Sequence, residues 1–303
     1  MTAPAPTLVA GAPAAAPPRR RRRSLQSGSP WRTATKVIAG IVIALVFIAP
    51  YLIMLVSSFK SRNNILAVPP TYLPEQWHPE NYLTMWSTPE TPLPYNLIST
   101  VVIAVFATAL VLIVCVPAAY YTARFRFPGR GSLLGLYLGS RLLPGIALIV
   151  PLYLVIKSFG LLDHLSALIV TYVSFTLPFT IWLLKNYFQT IPKTLEEAAF
   201  MDGASWLQML WRVLLPAAMP GLIAAGMFAF MTAWNDYLFA VILTSTTAAK
   251  TLPVVVAGFA TDVTTERTLM ATSGVLAIIP PLALAFLFQR LIIQGLTSGA
   301  VKD

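Results

Sequence analysis

Charge is scarce in this chain. Asp, Glu, Lys and Arg together make up 11% of its 303 residues, against roughly a quarter in an ordinary soluble domain. Cysteine is limited to Cys115, so no intrachain disulfide can form, and its place inside an apolar run marks it as a small core residue. The two histidines, His78 and His164, have no second ligand at metal-binding spacing, which leaves them surface roles and the chain no metal site. No GxxxxGK[ST] loop occurs, so the chain has no visible means of holding ATP. No Ser/His/Asp set or pair of catalytic carboxylates can be assembled either, and no catalytic residue is assigned.

What is present is hydrophobic length. A bilayer core about 30 Å thick takes roughly 20 apolar residues per helical span. Six runs meet that length: Val37 to Phe59, Asn96 to Tyr121, Ser132 to Ile156, Ser166 to Phe188, Ala218 to Thr244 and Met270 to Ile293. The fold class expected is therefore an all-α integral membrane protein with six transmembrane helices. Pro50, Pro117, Pro144, Pro151, Pro178, Pro280 and Pro281 fall in or near these runs, where kinks rather than breaks are expected, because neighbouring helices can take up the freed backbone groups.

Basic residues orient the spans. One side receives fifteen: seven in the N-terminal tail, Arg124, Arg126 and Arg130, then Lys185, Lys193, Arg212, Arg290 and Lys302. The other holds five: Lys60, Arg62, Lys157, Lys250 and Arg267. Both termini are thus expected in the cytoplasm. Residues 1–36 are Ala/Pro-rich with a run of five arginines, Arg19 to Arg23, and read as a disordered basic tail. The run sets topology and attracts anionic lipid. Without interleaved aromatics or a basic fold it does not read as a nucleic-acid site. The expected domains are this tail, a permease-like membrane domain over 37–294 and a short C-terminal tail over 295–303.

Between the fourth and fifth runs lies a long polar stretch, 189–217, on the cytoplasmic side. It contains "LEEAAFMDGASWLQMLWRVLLPAAMPG". Good helix formers flank Asp202-Gly203-Ala204-Ser205, which predicts a helix, a turn at Gly203 and a second helix ended by Pro216. Gly203 supplies the positive φ of a tight reversal. Ala198 and Ala199 keep the first helix thin enough for a groove. Glu196 and Glu197 sit in its first turn, where they complement the helix dipole and can accept hydrogen bonds from a partner's arginine.

The spacing makes this specific. Glu197-Ala198-Ala199, three residues, Gly203, nine residues, Val213, one residue and Leu215-Pro216 resembles the "EAA…G…I-LP" signature of permease subunits of bacterial ABC importers, departing only in Val for Ile. "AWNDYLFAVILTS" and the closing "QRLIIQGLTSGAVKD" are similar to the carbohydrate-uptake branch, and within it to the smaller maltose-type permease. The resemblance runs from about Val37 to the C-terminus.

It implies a multi-pass subunit in a bacterial cell membrane, paired with a second permease, an ATPase dimer that holds ATP and magnesium, and an extracytoplasmic solute-binding protein that delivers sugar. It implies coupling to the ATPase through Glu196, Glu197, Ala198, Ala199, Asp202, Gly203 and Pro216. A tail of Gly295, Leu296, Thr297, Ser298 and Gly299 would enter the crevice between the ATPases. The loop from Ser245 to Met270 would reach into the binding protein.

Two charged residues lie well inside the runs, away from their ends, where a mid-membrane charge costs about 2.5–3.5 kcal/mol even on lenient scales. Arg141 could line the cavity, its N–H groups suited to sugar hydroxyls, or pair between helices. Asp236, with Trp234, Asn235 and Tyr237, combines carboxylate, amide and aromatic faces suited to carbohydrate, though a structural bond to a neighbouring helix or to the second permease is the preferred reading. Two alternatives remain open from sequence: the same class of importer moving a polyol or glycerol phosphate, and a proton-coupled secondary carrier with Asp236 and Arg141 as its relay.

Overall fold

The computed structural model of the chain describes residues 30–87, 93–261 and 267–297, in which helices joined by loops are the regular structure and no strand occurs. The elements run α1 (Pro30–Ser57), α2 (Arg62–Ile65), α3 (Glu80–Ser87), α4 (Leu93–Arg124), α5 (Arg130–Gly139), α6 (Ile149–Ser158), α7 (Leu165–Thr190), α8 (Thr194–Met201), α9 (Trp206–Met209), α10 (Leu215–Ala217), α11 (Met219–Trp234), α12 (Leu238–Leu243), α13 (Leu252–Thr261) and α14 (Arg267–Thr297). Residues 1–50 and 51–303 form two separate units. In the first, α1 starts at Pro30, inside the segment expected to be structureless, since proline's fixed φ suits a first helical position. Residues 1–29 lie outside the described set.

Four stretches are long and apolar enough to cross a bilayer alone: Thr33–Ser57, Leu93–Arg124, Leu165–Thr190 and Arg267–Leu291. Two further stretches are sharply bent pairs, Arg130–Leu142 with Gly145–Ser158, and Trp206–Ala217 with Met219–Trp234, the latter at 78°. The third sequence run is therefore a broken helix, the second bend falls at Ala218 where the fifth run begins, and the fifth run is itself interrupted between α11 and α12. The first break is at Leu143-Pro144, where the residue before proline is pushed to an extended conformation, φ −72° and ψ 120°. Pro50, Pro117, Pro178, Pro280 and Pro281, by contrast, lie inside continuous helices.

Lipid tails are as apolar as the helices they surround, so close packing and hydrogen bonds, not burial from water, hold such a bundle together. The sequence supplies this with stripes of small residues. On α4, Ala107, Val111, Cys115, Ala119 and Ala123 recur every fourth residue and are buried. On α11, Gly221, Ala225, Ala229 and Ala233 do the same. Helices α4, α7 and α11 make the most extensive contacts of the fold, with α14 packed on α11.

Polar clamps fix one end of the bundle. Asn96 Nδ2 donates to the carbonyls of Thr247 and Lys250, both at 2.8 Å, Ser99 donates to that of Ala248, and Thr100 Oγ1 receives the Leu252 N–H. Asp163, at a left-handed φ of 65°, accepts from the N–H groups of Ser245 and Thr246, which hold its carboxyl below the usual carboxylate range.

A methyl group added at Gly221 would sit 2.4 Å from Cγ of the Tyr187 ring, the stiff end of that side chain. Gly221→Ala is expected to cost about 1–3 kcal/mol, as overpacked cores do. Gly131→Ala, where nothing lies within 4 Å, serves as the control. Thermal midpoints of the two variants in detergent check this: the first falls and the second does not.

Candidate functional site

The polar stretch after α7 folds into a compact helical hairpin. Helix α8 carries Glu196 and Glu197 in its first turn. It ends on Gly203 at φ +80°, with Gly203 N–H bonded to Phe200 O and Ala204 N–H to Ala199 O, both at 3.0 Å. That double bond pattern is the left-handed glycine cap, and it satisfies two carbonyls that the helix end leaves bare. The return arm opens on a reciprocal capping box: Gln208 N–H donates to Ser205 Oγ at 3.4 Å and Ser205 N–H to Gln208 Oε1 at 2.9 Å. The S-x-x-Q pattern "SWLQ" carried that signal in the sequence.

The second arm does not end at Pro216. A π turn spans Leu210–Leu214, in which Leu215 N–H reaches Leu210 O, and α10 runs past Pro216 to Ala217. Proline removes the next N–H, and the widened turn absorbs its ring. The change of direction comes at Ala218.

The two glutamates separate. Consecutive helical residues point about 100° apart, so Glu196 and Glu197 cannot share a face. Glu196 turns inward, where its Oε1 lies 2.6 Å from Arg124 Nη2 and its Oε2 accepts from Tyr120 Oη at 3.0 Å. The side chains of Arg124 and Glu196 are only 7% and 9% exposed. Glu196 is thus engaged within its own chain, contrary to the expectation that both acids await a partner's arginine. Ala199 is also buried, where it lets α8 approach the return arm, so Ala198 alone of the pair faces outward. The outward face of the hairpin comprises Glu197, Ala198, Met201, Asp202 and Gly203. Met201, 88% exposed, is the residue that sequence reasoning missed.

Gly295, Leu296 and Thr297 form the last residues of α14, while Ser298 and Gly299 lie outside the described residues.

The candidates within the runs also divide. Trp234 is buried, stacks on Phe230 and donates its indole N–H to Ala277 O at 3.2 Å. That carbonyl would otherwise pair with residue 281, which is proline and has no N–H, so Trp234 repairs the gap in α14. Asp236 sits in the break between α11 and α12. Its Oδ2 accepts from the N–H groups of Phe239 (3.0 Å) and Ala240 (3.3 Å) and from Tyr172 Oη at 2.9 Å, which caps α12 and ties it to α7. Asn235 and Tyr237 are exposed beside it. Arg141 is exposed in the broken segment after α5, its guanidinium over the rings of Phe179 (5.4 Å) and Phe228 (5.3 Å). Phe239 connects the two broken segments, stacked on Phe175 and lying 3.5 Å from where a Cβ on Gly145 would stand.

Residues 115–298, from mid-α4 through the hairpin to the end of α14, match the family described as binding-protein-dependent transport system inner membrane component. The chain belongs to that family. The permease is 38% identical over 259 residues to the inner membrane ABC transporter permease protein YcjP of Escherichia coli K12, covering 85% of this chain and 92% of that one. It is 40% identical over 208 residues to the trehalose transport system permease protein SugB of Mycobacterium tuberculosis, covering 68% and 76%. Among solved structures, its fold is similar to a chain of a bacterial ABC transporter involved in import of the acidic polysaccharide alginate, with a TM-score of 0.74, 24% identity and coverage of 87% and 96%. The permease is an inner-membrane transport component, and the family's ATPase is a separate subunit.

Trp234→Phe keeps the ring and removes the donor. With Ala277 O orphaned, the permease is expected to lose about 1–3 kcal/mol. The measurement is thermal stability against uptake kinetics: a lowered midpoint with unchanged KM marks Trp234 as a support, whereas a raised KM with unchanged stability marks it as a solute contact.

Proposed function

We propose that this permease forms one half of the translocation path of an ATP-driven sugar importer, with six spans, both termini in the cytoplasm and the α8–α10 hairpin docked on an ATPase. The bent pair Arg130–Leu142 with Gly145–Ser158 counts as one span of the six and α11 with α12 as another, residues 1–36 are a basic cytoplasmic tail, and a second permease completes the path. Sugar as cargo rests on the trehalose system of the relative and the alginate importer of the structural neighbour. Family membership favours this over a proton-coupled carrier.

The observation that carries the reading is the outward face of the hairpin. Glu197, Ala198, Met201 and Asp202 project from a tip turned by Gly203, combining a carboxylate for a partner's cation with an exposed methionine that water alone does not favour. ATP and magnesium are held by the partner, whose closure displaces the hairpin and turns the path from inward-facing to outward-facing. Arg141, Asn235 and Tyr237, exposed around the two helix breaks, are the residues assigned to the path. Asp236 holds the second of those breaks in shape, and Trp234 fills the backbone gap at Pro281. The segment from Ser245 through α13, clamped by Asn96, Ser99 and Thr100, is the outer platform offered to the solute-binding protein.

Gly203→Asp tests the hairpin, because a β-carbon at φ +80° is strained even though nothing lies within 4 Å of it. Transport is expected to be abolished while the protein stays in the membrane. Ala198→Cys in a Cys115→Ala background is expected to crosslink to the ATPase. Normal sugar uptake by Gly203→Asp, or no crosslink from position 198, overturns the assignment.

A further inference from the structure

The inner end of α4 holds both arms of the hairpin through two side chains one helical turn apart. Tyr120 and Arg124 stand at i and i+4, so they share a face of α4. Arg124 pairs with Glu196 on α8, and its Nη2 also donates to Ile191 O at 3.0 Å, where α7 ends. Tyr120 donates to the same carboxylate. Its ring meets Trp206, on the return arm, at 6.0 Å and Phe188, on α7, at 6.4 Å, both edge-on. Helices α7, α8 and α9 thus meet at these two side chains of α4 around one buried carboxylate. Arg124 engages through Nη2 alone, which bridges Glu196 Oε1 and Ile191 O, while its Nε has no hydrogen-bond partner among the described residues.

We infer that Tyr120, Arg124 and Glu196 are the positioning residues that pass displacement of the hairpin to α4, so that the ATPase moves this span through a buried ionic and hydrogen-bonded link distinct from the docking face. The inference rests on the reading of the hairpin as the ATPase contact and adds to it the route of transmission. Glu196 has no role on the docking surface, because Glu197, its neighbour, occupies that side. The link is suited to the work by its seclusion: water does not compete for it, so it stays closed while the hairpin moves. From Arg124, α4 runs 32 residues to Leu93 as one continuous helix, and its far end carries the Asn96, Ser99 and Thr100 clamp. A push at one end is therefore delivered at the other.

The test uses the assembled importer, captured through a tag on this chain, in a Cys115→Ala background with Tyr95→Cys at the exposed far end of α4. Two quantities are read. The first is the amount of ATPase that co-purifies, which reports docking. The second is the change in labelling rate at position 95 by a membrane-impermeant maleimide between nucleotide-free and ATP-plus-vanadate states, which reports transmission. With Glu196→Gln, Arg124→Gln and the double variant, co-purification is expected to stay within about twofold of the parent. The nucleotide-dependent labelling change is expected to shrink at least about fivefold, the lower edge of ordinary allosteric coupling, and the double variant to be no worse than either single one.

Arg124→Lys, which keeps the charge but not the guanidinium Nη2 placed between Glu196 and Ile191 O, should recover only part of the response. Should the glutamine variants not accumulate, Tyr120→Phe decides, since it removes one hydroxyl and leaves the ring packing; a labelling change reduced from the parent's supports the link and an unchanged one overturns it. An unchanged response in the glutamine variants, additive losses, or a parent that shows no response overturns the inference and leaves docking intact. Loss of ATPase from Glu196→Gln but not from Arg124→Gln makes Glu196 a docking residue and overturns it too. A parent that captures no ATPase at all removes the hairpin reading itself, and the inference with it.

Discussion

A backbone carbonyl or N–H left bare in hydrocarbon costs several kcal/mol, and this constraint governs where the chain can bend. Two gaps in the helical ladder, one in the fifth run and one in the sixth, are each met by a side chain that substitutes for the missing bond. Asp236 supplies an acceptor to the first N–H groups of α12. The gap that Pro281 opens in α14 is filled from a different helix, by the indole of Trp234. Once each helix is satisfied in itself or by such a substitute, backbones can come close, and the alanine and glycine stripes of α4 and α11 exploit this.

The scarcity of charge gives each interior ionisable group a definite assignment. Breaking a buried pair by removing one partner costs about 3–5 kcal/mol, yet exchanging the whole pair for apolar side chains is often neutral. Net stability is therefore a weak reason for Arg124 and Glu196 to be ionic. Geometry is a stronger one, because the pair orients α8 against the ends of α4 and α7 at once. Arg141 follows a different rule. It lies over two aromatic rings, whose π faces attract the cation, while the residue stays exposed.

The spans and the hairpin were legible because they rest on periodicity and local chemistry: apolar length for the helices, Gly203 for the reversal, and the first-turn acids for α8. The breaks were written less plainly. Leu143-Pro144 and Asn235-Asp236 sit inside apolar runs, and a window wide enough to find a span averages over them. Trp234 and Asp236 were visible as polar groups in lipid, which is a correct warning of purpose, but their type suits carbohydrate and helix repair equally. Only the positions of Pro281 and Phe239 relative to them decide, and those are tertiary facts. The partner of Glu196 is 72 residues away in sequence at Arg124, beyond any local pattern.

The EAA element makes the limit concrete. An eight-residue helix has two turns, and a helix that must both dock outward and be gripped inward has to divide them. Thr194, Glu197, Ala198 and Met201 fall at i, i+3, i+4 and i+7 and form the exposed face, while Glu196 and Ala199, three apart, form the buried one. Read as a string, the motif suggests one surface with two glutamates and two alanines. Wound as a helix, it gives one of each to either side. The carboxylate that faces outward, offered to the partner in the proposed docking, and the carboxylate that meets α4 are then adjacent in the chain.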